Sequence, residues 1–149
     1  MVKARRLIAT FWLMGLFCVC SAVAQDATDL ELVRIGHLKT ESGHTTGFRI
    51  YKAPDGTKGQ VHYTKFDSLE PAELQIEEWV KATRTVTSRE HNQSKDGQLI
   101  SDRILAVADL PKSEKKEFVI IRRDYLNCYL IESASLQVAL QVEGLIEHK

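Results

Sequence analysis

Cysteine is nearly absent from this chain. Three occur, Cys18, Cys20 and Cys128, and the first two fall in an N-terminal stretch that reads as a removable leader. One remaining thiol forms no internal disulfide, which excludes a disulfide-framed secreted module. Basic clusters are scarce as well. After the leader, Lys115-Lys116 and Arg122-Arg123 are the only basic doublets. A nucleic-acid surface needs a concentrated basic face to displace counterions, so nucleic acid is not an expected partner. Short catalytic signatures are missing too. The chain carries no Gly-x-Ser-x-Gly, Walker or dinucleotide fingerprint, and no His-x3-His or Cys-x2-Cys spacing. No cofactor and no metal is expected on that ground.

What is present begins at the N-terminus. Lys3, Arg5 and Arg6 form a positive patch, an apolar run from Leu7 to Cys20 follows, and Ser21-Ala22-Val23-Ala24 precedes the polar Gln25-Asp26. Charge, then an apolar core, then small residues is the order of an export signal. Ala22 and Ala24 fit a peptidase pocket that admits only small side chains, so residues 1–24 read as a signal peptide cut between Ala24 and Gln25. The expected location is secreted or periplasmic, with no stable membrane span after cleavage. The leader removes three basic residues, leaving 17 against 20 acidic ones, a net charge of −3 with neutral histidines. Residues 25–149 then form one domain of ordinary size, large enough to bury a core without disulfide or metal.

Hydrophobic patterning sets the fold class. Leu30 to Ile35 reads as a first strand, and Lys39 to Gly47 as a loop. Phe48–Lys52 and Gln60–Lys65 alternate in polarity around Pro54-Asp55-Gly56-Thr57, a turn signal that makes them a hairpin. Leu69 to about Val86 is the clearest helix: Leu69, Ala72, Ile76, Trp79, Val80 and Thr83 recur at three and four residues, and Ser68 stands at the N-cap position. Ser88 to Gln98 is polar and reads as a loop. Leu99–Ala108, Phe118–Arg122 and Tyr125–Glu132 follow as a meander of three strands. Two of them contain unbroken apolar runs, Ile104-Leu105-Ala106-Val107-Ala108 and Phe118-Val119-Ile120-Ile121. Such runs belong to strands covered on both faces. The segment after Ser135 reads both as strand and as helix; the need to cover the second sheet face favours helix. The expected class is α+β, a mainly antiparallel sheet in the order β-ββ-α-βββ-α with helices packed on the sheet.

Candidate chemistry is sparse. Cys128 shares its strand face with Leu126 and Leu130 and reads as a small buried hydrophobe. His37, His44, His62, His91 and His148 show no ligand spacing. Asp109 and Asp124 have apolar neighbours but sit where turns are expected. Tyr125, Asn127 and Tyr129 alternate onto one strand face and are the candidate ligand-binding residues, although packing under a helix accounts for the same pattern. The function expected is an exported, non-enzymatic binding or accessory domain, its ligand or protein partner left open. Two alternatives stand beside it. One is a small exported hydrolase or isomerase with an acid/base pair in a sheet-lined pocket. The other is a self-associating structural protein, with homodimerisation through an uncovered sheet face. The leader reading is tested by intact mass: protein recovered after export should begin at Gln25, and retention of residues 1–24 would contradict it.

Overall fold

Ile120 and Ile121 are neighbours in the chain, and both are fully buried. Adjacent residues of a strand point to opposite faces, so both faces of the strand that carries them are covered. The computed structural model, which describes residues 29–39, 43–83, 85–97, 99–109 and 116–147, shows how. The leader with its Ala24–Gln25 junction and the connection Leu110-Pro111-Lys112-Ser113 lie outside the described residues. The elements run β1 (Glu31–Lys39), β2 (Thr45–Lys52), β3 (Lys58–Lys65), α1 (Leu69–Ala82), β4 (Thr85–Gln93), β5 (Leu99–Asp109), β6 (Lys116–Asp124), β7 (Asn127–Ser133) and α2 (Leu136–Glu147). All seven strands lie in one antiparallel sheet, in the order β1-β2-β3-β7-β6-β5-β4. The α+β class therefore holds.

Two separate clusters occupy the two faces. Ala72 and Ile76 of α1 pack with Phe66, Ile104, Ala106, Val119, Ile121 and Cys128. Val138, Ala139 and Val142 of α2 pack with Tyr51, Ala53, Val61, Ile120 and Ile131. Trp79 is only half buried and borders the α1 cluster. The segment that reads both ways in sequence is thus helix. Ser135 starts it by accepting the Val138 N–H at 3.4 Å, and its own N–H bonds the Ser133 hydroxyl at 3.2 Å.

The strand order requires a correction. The polar stretch read as the end of a helix and a loop is β4, a strand between α1 and β5. The helix stops at Ala82 because Thr83 turns extended and caps the end, donating both its N–H (3.2 Å) and its hydroxyl (2.8 Å) to the Val80 carbonyl. β4 lies at the sheet edge and exposes nearly every side chain, so its sequence Thr-Val-Thr-Ser-Arg-Glu-His-Asn-Gln carries no burial signal. Its ladder to β5 makes it a strand. At the other edge β1 runs on to Lys39. Ser68 occupies the N-cap of α1 but forms no side-chain cap bond.

The hairpin is as expected. Its turn is closed by Ala53 N–H to Thr57 O (2.8 Å) and Gly56 N–H to Ala53 O (2.9 Å), with the Asp55 carboxylate accepting the Thr57 N–H at 2.8 Å. β3 also pairs with β7, the middle strand of the sheet. α2 lies directly on β3 at Gly59: a Cβ there would stand 2.8 Å from Val142 Cγ2 and 2.9 Å from Val138 Cγ1. Both neighbours are stiff and β-branched, so the helix itself must give way. Gly59→Ala should cost about 1–3 kcal/mol in a urea melt. An unchanged midpoint would mean that α2 does not rest on β3.

Candidate functional site

Each helix leaves a concavity where it leaves the sheet. The one beside α1 has a volume of about 290 Å3 and is lined by Glu73, Ile76, Glu77, Arg89, Asp102 and Arg123. Strand register assembles it, because His91 on β4 faces Asp102 on β5, and Asp102 faces Arg123 on β6. Asp102 and Arg123 are each only 1% exposed. Charges so buried persist only when paired. The Asp102 carboxylate accepts a fork from Arg89, with Nε at 3.1 and 3.2 Å from its two oxygens. Arg89 also donates to Glu77 on α1 at 2.8 Å. Arg123 donates to the Tyr125 carbonyl at 3.0 Å and lies 4.0 Å from Glu73. The bonds to Asp102, chiefly, and to Glu77 hold the Arg89 guanidinium charged, with its pKa above the usual arginine range.

This concavity is therefore an ionic clasp between α1 and the far strands. His91 Nδ1 stands 3.3 Å from Asp102, the arrangement of an acid/base pair. Arg89 already engages both oxygens of that carboxylate. Cys128 supplies no nucleophile beside it. The thiol is fully buried, donates to the Ala72 carbonyl at 3.5 Å, and is pushed up to about 12 by burial.

The second concavity, about 150 Å3, lies beside the end of α2 and is lined by Arg49, Tyr51, Val61, Tyr63, Tyr129, Leu145 and Ile146. The hairpin builds it. Arg49 faces Val61 across β2–β3, and Tyr63 faces Gly47 on one side and Tyr129 on the other. Gly47 interrupts the strand for a steric reason: the Tyr63 ring lies where a Cβ would stand. That ring in turn supports Arg49, whose guanidinium carbon is 5.5 Å from the ring centre. Burial, with a smaller contribution from Asp124, raises the Tyr129 phenol above its ordinary pKa, so it stays a neutral donor.

Arg49 is the exception among the described residues. Its Nε is buried and has no hydrogen-bond partner among the described residues. Buried polar groups are paired as a rule, and an orphan calls for a specific explanation.

Sequence-derived candidates are scattered by the structure. Tyr129 lines the α2-side cleft. Asn127 opens β7 and donates to the Asp124 carbonyl at 3.5 Å, outside the cleft. Tyr125 is not on the strand at all. It sits in the β6–β7 turn with φ 55° and is 53% exposed. Its N–H bonds the Ile100 carbonyl at 2.9 Å, and Arg123 holds its own carbonyl. The strand thus starts two residues later than its alternation implies. Arg49, Tyr51 and Tyr63 were visible as one alternating hairpin face, but nothing local distinguished that face from solvent-facing positions.

Among the described residues, no three histidine, cysteine or acidic side chains stand close enough to hold a metal ion. No described helix is long and apolar enough to cross a membrane. If the α1-side concavity is a clasp, Asp102→Asn should destabilise the fold by about 3–5 kcal/mol, the cost of breaking a buried pair. A loss under about 1 kcal/mol in chemical denaturation, typical of a surface site, would show that the cluster carries no such load. No protein-family model, no curated protein and no solved structure matches this chain.

Proposed function

We propose that this chain is an exported, non-enzymatic binding domain and that its ligand enters the cleft between α2 and the β2–β3 hairpin. The observation that carries the reading is the unpaired, buried Nε of Arg49 in an aromatic-lined concavity. A ligand that brings an acceptor there removes the cost of the orphan donor, about 1–3 kcal/mol. The order of residues 1–24 supports export.

The lining limits the ligand class. Arg49 fits a carboxylate or another oxyanion, which guanidinium recognises through directed N–H bonds. Tyr51, Tyr63, Val61, Leu145 and Ile146 offer apolar and aromatic walls for the rest of the molecule. A volume near 150 Å3 admits a small aryl or short-chain acid, or one end of a longer one. The acid/base alternative is the weaker reading, because the His91–Asp102 pair is already engaged by Arg89.

The pair benzoate and benzamide tests the proposal, being close in shape and different in charge. Benzoate should shift the Arg49 side-chain resonance and the amides of Tyr63 and Tyr129 in an NMR titration. Benzamide should bind at least about tenfold more weakly, the loss of one charge-assisted bond. Arg49→Met should abolish the benzoate response while raising stability by about 1 kcal/mol, because the orphan donor is gone. Equal response to both probes, or a stability loss in Arg49→Met, would overturn the reading.

A further inference from the structure

The two sheet edges are built differently. β4 presents Thr85, Thr87, Ser88, Arg89, Glu90, His91, Asn92 and Gln93, with register breaks at Val86/Ser88 and Asn92/Gln93. Polar side chains, charges and bulges are the devices by which an edge strand avoids pairing with another chain. β1 is more apolar, with Glu31, Arg34, His37 and Lys39 as its polar residues. Leu32, Val33, Ile35 and Leu38 are each between 51% and 56% exposed, spread along both faces of the strand. Its central cation, Arg34, is exposed and lies over the Phe48 ring, 5.6 Å from the ring centre. Opposite charges stand at its two ends, Glu31 and Lys39.

We propose that β1 is a dimer interface, pairing antiparallel with β1 of a second copy and joining the two seven-stranded sheets into one. The end charges select this partner and this direction. About a two-fold near Ile35, the Glu31 end of each strand lies beside the Lys39 end of the other, and the Leu32 end beside the Leu38 end. Parallel pairing would set like charges together. The bulge at Val33, between Leu32 and Arg34, adds one residue of slack without changing which ends meet. Opposite charges across an antiparallel pair stabilise it and like charges destabilise it. A two-fold contact uses the same strand twice and closes on itself. Pairing β1 of one copy with β4 of the next would instead build an open filament, which the polar, bulged β4 edge disfavours. The interface rests on a single nine-residue strand from each copy, so its dimer should dissociate on dilution.

Sedimentation of the exported protein over the micromolar-to-millimolar range tests this. The wild type should pass from monomer to dimer with concentration. Glu31→Lys should weaken association about tenfold or more, since the pair occurs twice. Adding Lys39→Glu to Glu31→Lys restores opposite charges and should restore the dimer. Ile35→Lys places two like charges at the two-fold and should give monomer throughout, with circular dichroism and melting checking that each variant folds. A wild type that stays monomeric at every concentration overturns the proposal. So does a dimer indifferent to Glu31→Lys, or a double variant no stronger than the single one.

Discussion

The structure depends on one constraint: the middle of the sheet is apolar on both faces. Phe118-Val119-Ile120-Ile121 sends alternate side chains into two different clusters, and β5 does the same with Ile104 and Ala106 against Leu105. A sheet of this kind is unstable until both faces leave water. Two helices meet that demand from opposite sides, and the connectivity follows. α1 follows the interior strand β3, covers β6 and β7, and delivers the chain to the far edge as β4. The meander β4 to β7 then returns to β3, and α2 closes the opposite face over Gly59.

The two helix–sheet junctions use polar residues differently. Beside α1, buried Asp102 and Arg123 are held by partners on α1, on β4 and in the β6–β7 turn. Such a network fixes the helix against the sheet and is costly to break, although it is weak evidence of net stabilisation. Beside α2, buried Glu143 accepts a fork from Arg103 at 2.7 Å, while Arg49 lies over Tyr63 with its Nε unpaired among the described residues. Both junctions pair their buried carboxylates, and the α2-side cleft differs in holding a buried donor without a partner among the described residues. Local violations of otherwise consistent rules gather at functional sites.

Much of this was legible in the chain. Pro54-Asp55-Gly56-Thr57 announces the hairpin, the Leu69–Trp79 stripe announces α1, and the unbroken apolar runs announce a doubly covered sheet. β4 was hidden because an exposed edge strand buries nothing and so leaves no alternation to read. Tyr125 was misplaced because a tyrosine at positive φ carries no turn signal of its own; Arg123 and the Ile100 carbonyl hold that turn from a distance. Arg49 was invisible as a site for a deeper reason. Its place beside Tyr51 and Tyr63 is local, but its lack of a partner depends on β7 and α2, far along the chain.

Native mass spectrometry of the protein, wild type beside Arg49→Met, tests the central claim most directly. The account predicts a small acidic adduct on the wild type and none on the variant. Identical adducts on both, or bare protein in both, would contradict it.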